Sequence, residues 1–238
     1  MKGFTWKSIF ASRNRVVPEE VVWDLKTYRN GQLVDFNIFP PPPKLEIFTE
    51  LGIRIDTDKT EYPEQCLAFS YIDPKSAVLE LGARYGSVSC IINKVLENKQ
   101  NQVSVEPDMT VWTALEENIQ RNDCSVQVFK GFVSRSPRQL LPYGYAATSF
   151  GSETSDIQSM TIEELEEQYQ LKFDTLVADC EGFLGDFFSE NPHLYDQLTT
   201  VIFEADYPDK CDYAKLRATL KEYGFREIVS GFQNVFKK

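Results

Sequence analysis

Short, continuous apolar runs alternate with helical stretches from Ala77 to the end of the chain, and this alternation constrains the fold more than any other feature. Runs of this kind are typical of strands that are buried on both faces. Five such strands are predicted, in the segments AVLEL, QVSVEPD, SVQVFKGFVS, FDTLVADCEG and TTVIFEADYP. The pattern therefore predicts an α/β fold with a mostly parallel, doubly wound sheet between two layers of helices.

The end of the chain and one long connection complete this domain. YAKLRATLKEYGF is predicted to be a helix with Gly224 as its C-terminal cap, and REIV and NVFKK to close the chain as an antiparallel hairpin. Residues 135–172 connect the third and fourth strands, and Thr161 and Glu164 have the capping-box spacing that begins a helix there. A long connection at the carboxyl end of a strand is expected to lie near a ligand site.

The first 60 residues form a different kind of segment. Four consecutive prolines within residues 39–44 exclude a helix or a central strand and predict a stiff connector. We therefore expect a lead-in over residues 1–60 and the domain over residues 61–238. Near the start, Phe4 and Trp6 among basic residues predict a short amphipathic helix that docks on the domain, with a membrane-surface helix as the alternative.

Charge and cysteine content restrict the partners. The net charge of -11 opposes a phosphate backbone, so we expect a small molecule or a neutral polymer and no nucleic acid. The chain contains no secretory-type apolar region and no apolar run near the roughly 18 residues that span a bilayer, so neither a cleaved signal nor stable membrane insertion is expected. Five scattered cysteines without a CxxC pair favour a reducing, cytoplasmic compartment. The oligomeric state stays open.

VLELGARYG, at residues 78–86, is the first candidate for ligand binding. Its strand ends near Glu80, and Gly82 and Gly86 bracket a tight turn into a helix, which allows a ligand to approach the backbone and the free N–H groups of the helix. Glu106 ends the next strand, where a nucleotide-binding sheet places the carboxylate that accepts hydrogen bonds from ribose hydroxyls.

The same turn indicates which nucleotide binds. A dinucleotide fingerprint needs a glycine where Arg84 stands, and a P-loop needs a lysine where the chain has Ser87 after Gly86. The carboxylate of Glu80 beside the turn would repel a pyrophosphate and attract the cationic end of S-adenosylmethionine (SAM). The charges therefore predict SAM as the cofactor.

These motifs, with VEPD at residues 105–108, a helix that carries Leu115, Asn118 and Asn122, and VADCEG, resemble FkbM-type methyltransferases in order and spacing over residues 76–236. The resemblance implies a Rossmann-like class I methyltransferase fold for residues 61–238. It also implies a SAM-dependent O-methyltransferase that acts on a sugar hydroxyl of a glycan, a glycolipid or a related small molecule.

The strand ends and the resemblance together define the predicted site. The predicted cofactor-binding residues are Glu80, Gly82, Arg84, Gly86, Glu106, Pro107, Phe132 and Asp179. The resemblance implies that Asp179 faces the methyl donor and Glu181 the acceptor, and these two residues are the catalytic candidates. Weaker candidates for the acceptor site are Tyr143, Tyr145, Ser149 and Phe150.

Two mechanisms are open, because a sugar hydroxyl is a poor nucleophile until its proton is removed or its oxygen is held by a metal. In one, Glu181 or Asp179 is the general base alone. In the other, Asp179, Glu204 and Asp206 hold Mg²⁺ or a similar hard cation, and Glu181 is the base.

Two other functions compete with this interpretation. An NAD-dependent oxidoreductase would share the sheet, but Arg84 in place of a glycine argues against it. A non-catalytic methyltransferase-like domain that binds glycans or acts as a scaffold would keep the fold without turnover, and the complete set of cofactor motifs argues against that.

Overall fold

A computed structural model describes residues 26–140, 147–149 and 157–238. The strands are β1 (Thr27–Arg29), β2 (Gln32–Leu33), β3 (Ile47–Phe48), β4 (Arg54–Ile55), β5 (Val78–Leu81), β6 (Gln102–Val105), β7 (Gln127–Phe129), β8 (Phe132–Val133), β9 (Arg138–Leu140), β10 (Ala147–Ser149), β11 (Ser159–Met160), β12 (Thr175–Ala178), β13 (Thr200–Glu204), β14 (Arg226–Gly231) and β15 (Gln233–Lys237). The α-helices are α1 (Tyr62–Tyr71), α2 (Ser87–Val95), α3 (Trp112–Arg121), α4 (Ile162–Tyr169), α5 (Leu184–Glu190), α6 (Leu194–Gln197) and α7 (Tyr213–Glu222).

The predicted Rossmann-like, doubly wound sheet with a C-terminal hairpin is confirmed. One sheet of nine strands has the order β2-β1-β14-β15-β13-β12-β5-β6-β7. Neighbours from β13 to β7 are parallel, whereas β15 is antiparallel to both β13 and β14. The order of the strands reverses between β5 and β12, and the crevice at such a switch point is where doubly wound sheets bind ligands.

The burial of the central strands explains why they read as continuous apolar runs. Every residue of β5, β6, β12 and β13 is buried. Side chains alternate between two cores, so that Leu79 and Leu176 belong to one cluster while Val78 and Val177 belong to the other. Both faces of the sheet are therefore covered, as a parallel sheet requires.

The lead-in packs on the same domain from residue 26 onward. β1 pairs with β14 and so extends the sheet beyond the C-terminal hairpin. Around the prolines, Phe39, Leu45 and Ile47 are buried in the core beside α1 and α2. The helix predicted near Phe4 and Trp6 lies outside the described residues.

Asn118 in α3 and Asn122, which directly follows α3, hold β3 and the residue before it against the domain. The Asn118 side chain accepts a hydrogen bond from the Phe48 N–H at 3.0 Å and donates to the Phe48 carbonyl at 2.8 Å. Asn122 makes the same pair of bonds with Glu46, at 2.9 and 3.0 Å. Each amide therefore satisfies one backbone N–H and one C=O, as a neighbouring strand would.

The third predicted strand is shorter than the sequence suggested. β7 ends at Phe129, the Gly131 N–H donates to the Glu106 carbonyl at 3.1 Å, and β8 then leaves the central sheet to pair with β11. The predicted capping box of Thr161 and Glu164 at α4 is confirmed.

Gly224 follows α7 with φ of +86°, as a C-terminal cap requires, which confirms the predicted cap.

Among the residues that the structure describes, none of the helices combines the length and the apolar character needed to cross a membrane. Tyr143, Tyr145 and Phe150 lie outside the described residues, and Ser149 is described only as part of the backbone of β10.

Candidate functional site

Two adjoining pockets open where β5, β6, β12 and β13 end. The first pocket is lined by seven of the predicted site residues, namely Gly82, Arg84, Glu106, Pro107, Phe132, Asp179 and Glu181. The second pocket is lined by apolar residues of the strand ends and of the turn after β5 and by six polar residues, namely Glu61, Glu64, Glu80, Asp179, Glu204 and Gln233. Gly82 and Asp179 border both pockets, so the two pockets adjoin at these residues.

Gly82 allows the two strand ends to approach each other. Its φ is +90°, and a Cβ built on it would lie 1.7 Å from the carbonyl oxygen of Asp179. Only glycine fits there. Gly86 lines neither pocket, but it begins α2 with φ of +84°, and its missing Cβ leaves room for the Leu115 side chain.

Glu106 is fixed in the first pocket by the backbone around it. One carboxylate oxygen accepts the Arg84 N–H and the other the Asp108 N–H, both at 2.6 Å. Burial raises the pKa of Glu106 to about 7, against the lowering effect of these hydrogen bonds. The carboxylate keeps lone pairs that can accept further hydrogen bonds, because each oxygen carries two.

Two residues that line the first pocket have strained backbone. Arg84 and Glu181 are non-glycine residues with φ of 43° and 54°. The Arg84 guanidinium lies 5.0 Å from the centre of the Tyr85 ring and 3.9 Å from Asp108. Strained backbone persists only where the surroundings enforce it, and it clusters at functional sites.

Carboxylates form two overlapping groups around Asp179. In one group Asp179 lies with Glu64 and Glu204, and in the other with Glu181 and Asp206; within each group the three oxygen atoms lie within 4.8 Å of one another. The structure therefore divides the predicted metal-binding set, placing Glu204 and Asp206 in different groups. Either group offers the three oxygen ligands that a hard cation could take.

Burial sets the protonation of these acids. It raises the pKa of Asp179, Glu181 and Glu204 well above the ordinary range, and repulsion between neighbouring carboxylates adds to the effect. Burial likewise raises the pKa of Glu64 and of Glu80 to about 7. A carboxylate with a raised pKa is suited to take a proton from a reacting group near neutral pH.

Several buried polar atoms in and beside the two pockets lack a hydrogen-bond partner within the described part of the chain. Oδ1 of Asp179 and Oε1 of Gln233 belong to residues that line the pockets, and Oδ2 of Asp206 belongs to the carboxylate grouped with Asp179 and Glu181. All three atoms are acceptors, and a buried acceptor without a donor carries a free-energy penalty. A ligand with positive charge or N–H groups would remove that penalty.

Three residues of the second pocket were not predicted from the sequence. Glu61 accepts a hydrogen bond from the Ser87 hydroxyl, and the Gln233 amide donates to Glu64 at 2.9 Å and to Glu204 at 2.7 Å. A signal for Glu64 was its position one residue before Gln65 and the apolar run CLAF of α1. Gln233 has no local signal, because the pairing of β15 with β13 brings it to the site.

Comparison with known proteins yields similarity of fold only. No model of a known protein family matches the chain, and no curated protein matches it. The chain is similar to a precorrin-6y C5,15-methyltransferase from Geobacter metallireducens GS-15, with 12% identity, 77% of this chain and 93% of that chain covered, and a TM-score of 0.49.

Two further solved structures are similar at the same level. For a ribosomal protein L11 methylase from Lactobacillus delbrueckii subsp. bulgaricus, the identity is 18%, the coverage 72% of this chain and 74% of that chain, and the TM-score 0.42. For an rRNA methylase from Streptococcus thermophilus, the identity is 7% and the TM-score 0.47. The match covers 74% of this chain and 95% of that chain. At these levels of identity the likeness extends to the fold alone.

Proposed function

We propose that the chain is a SAM-dependent methyltransferase. The observation that supports this proposal is that two different pockets adjoin at one switch point of the sheet. The first pocket, around Glu106, suits a nucleoside, and the second, around Asp179, is acidic. SAM has the matching polarity, with a neutral adenosine at one end and a sulfonium and an ammonium group toward the other.

The first pocket suits adenosine. Glu106 is held with free lone pairs where ribose hydroxyls would donate. Pro107 and the buried ring of Phe132 supply apolar surface for a base. Because the Gly82 backbone borders both pockets, the methionine part of the ligand can continue past it toward Asp179.

The signs of the charges disfavour a dinucleotide. Two like charges about 4 Å apart repel by about 4 kcal/mol at an effective dielectric constant of about 20, and opposite charges attract by the same amount. A pyrophosphate beside Asp179 and Glu80 would be repelled by their ionised forms and would favour the neutral acids, whereas a sulfonium would be attracted and would favour the ionised acids. The NAD-dependent alternative is disfavoured for this reason.

For the acceptor, we propose a hydroxyl group, with a sugar of a glycan, glycolipid or related small molecule as the substrate class and FkbM-type enzymes as the family. Glu181 lies between the first pocket and Asp206, and its raised pKa suits a general base that takes the hydroxyl proton. Asp179, which borders both pockets, would stabilise the sulfonium. Mg²⁺ held by one of the two carboxylate groups is the alternative way to activate the hydroxyl.

Calorimetric titration with S-adenosylhomocysteine (SAH), with and without Mg²⁺, tests the cofactor, and NADH serves as the control. We expect micromolar binding of SAH and no binding of NADH. Binding of NADH alone, or of neither ligand, would refute the proposal. A dependence of methyl transfer on Mg²⁺ would favour the metal mechanism over the general base.

The acceptor is then sought with SAM that carries a labelled methyl group. The panel contains mono- and oligosaccharides and glycolipids, together with RNA and ribosomal protein, because methylases of the last two are among the similar structures. Label in sugar hydroxyls would support the proposed acceptor. Label in RNA or protein alone would contradict it and leave the cofactor assignment intact.

A further inference from the structure

Two cysteines outside both pockets lie against each other. Cys90, in α2, is fully buried, and Cys124, just after α3, is half-buried. The Cys124 thiol donates to the Asn122 carbonyl at 3.4 Å and to the Cys90 carbonyl at 3.8 Å. The backbone fixes both positions, because the Cys90 N–H donates to Gly86 and the Cys124 N–H to Ile119.

Two lysines face the Cys124 thiol. The Lys94 amine donates to the Asn122 carbonyl at 2.9 Å, and the Lys99 amine to the Leu96 carbonyl at 2.6 Å. Neither lysine forms an ion pair with a carboxylate within residues 26–140, 147–149 and 157–238, so their charges act on the thiol. The neighbouring Cys90 thiol and then these lysines lower the pKa of Cys124 to about 7, against the raising effects of burial and of Asp123.

The other cysteines are less reactive by the same criteria. Burial raises the pKa of Cys180 and of Cys211, and nearby carboxylates raise both further. Burial also raises the pKa of Cys66. Cys124 thus combines thiolate character, partial exposure and an adjacent second thiol, the three properties that distinguish oxidant-sensing cysteines.

We propose that Cys124 is a site of oxidation by hydroperoxides and that Cys90 is its resolving partner. The Cys124 thiolate attacks one peroxide oxygen; the S–O bond forms, the O–O bond breaks, and hydroxide leaves and takes up a proton to become water. The Cys90 sulfur then attacks the Cys124 sulfenic acid; the S–S bond forms and the S–O bond breaks. The departing oxygen leaves as water with the Cys90 proton, so one peroxide is reduced and two thiols are oxidised to a disulfide.

The test uses the full chain, hydrogen peroxide as the oxidant and dimedone as the sulfenic-acid probe. After oxidation and alkylation, peptide mapping by mass spectrometry should find a disulfide between Cys90 and Cys124. In a Cys90→Ser variant, whose hydroxyl can still donate to the Cys124 sulfur, dimedone should label Cys124 instead. In a Cys124→Ser variant, peroxide consumption at pH 7 should fall about tenfold, because the remaining thiols are mostly protonated.

Circular dichroism checks that each variant is folded, and Cys124→Ser alone decides the test if Cys90→Ser is not. Cys66→Ser is the matched control and should oxidise at the wild-type rate. First oxidation at Cys66, Cys180 or Cys211 would overturn the proposal. An unchanged rate in Cys124→Ser would also overturn it, and neither result depends on the proposed methyltransferase activity.

Discussion

Replacing Gly82 with alanine should damage both the fold and the candidate site, because two constraints meet at this residue. Its φ is +90°, a conformation in which a side chain is strained. Its absent Cβ would lie 1.7 Å from the Asp179 carbonyl oxygen and 2.8 Å from the carbonyl carbon. Both atoms belong to the backbone, so no side-chain rotation can relieve the overlap.

The expected cost follows from those two constraints. The left-handed conformation costs alanine about 1–2 kcal/mol. To restore ordinary contact, the ends of β5 and β12 must also move apart, so that the end of β5 shifts relative to β6 as well. That movement disrupts the bonds of the Asp179 N–H to Leu81 and of the Gly82 N–H to Val105, both at 3.0 Å and each worth about 1 kcal/mol. Together these losses amount to about 3–4 kcal/mol of unfolding free energy.

Gly224 provides a matched control. Its φ is +86°, but a Cβ there would meet nothing within 4 Å. Gly224→Ala should therefore cost only the conformational 1–2 kcal/mol. Urea denaturation followed by circular dichroism gives both values, and titration with SAH should show weakened binding for Gly82→Ala alone. Equal losses of stability in the two variants would refute the argument that close approach of the strand ends requires Gly82.

Three further predictions concern the site and its support. Glu181→Gln should leave the affinity for SAH within about twofold and reduce methyl transfer at least about a hundredfold, as loss of a general base does; unchanged transfer would remove Glu181 from the mechanism. Because burial raises the pKa of Glu64, Glu80 and Glu106 from 4.5 to about 7, the folded protein binds more protons than the unfolded chain in that range. The ligand-free protein should therefore lose thermal stability between about pH 5 and pH 8, and a rise in Tm would contradict this. Asn118→Ala should lower the free energy of unfolding by about 2–4 kcal/mol, because it leaves the Phe48 N–H and C=O unpaired. Glu117→Ala is the control, because Glu117 is adjacent and exposed, and it should leave the free energy of unfolding almost unchanged. Urea denaturation measures both values.

The parts of the fold that can be predicted from sequence are those in which the local pattern and the tertiary environment agree. β5, β6, β12 and β13 are buried on both faces, so their apolar runs carry the signal without any knowledge of their neighbours. The capping box at Thr161 and the cap at Gly224 are likewise local chemistry. The ends of parallel strands meet at one edge of a sheet, which is why the strand pattern alone predicts that Asp179 and Glu204 lie together.

The parts that sequence does not predict depend on long-range pairing. β1 reaches the sheet by pairing with β14, nearly the whole chain away, and two or three residues of strand leave no periodic signal. Phe132 follows β7 after Lys130 and Gly131, but it pairs with Ser159 of β11 and not with the central sheet. A run of apolar residues does not reveal where backbone pairing stops, so the predicted end of the third strand is too late.

In the acidic second pocket, the buried carboxylates that suit a cationic ligand also lower the stability of the ligand-free fold. Burying a carboxylate without a cation is unfavourable, and the ligand-free fold limits this cost by keeping the acids partly protonated and by bonding Gln233 to both Glu64 and Glu204. That solution leaves Oδ1 of Asp179 and Oε1 of Gln233 without donors among the described residues. Apolar residues at these strand ends would make a more stable domain. Acids retained there are therefore best explained by a cationic ligand, and a sulfonium with an ammonium group supplies the charge that the pocket lacks.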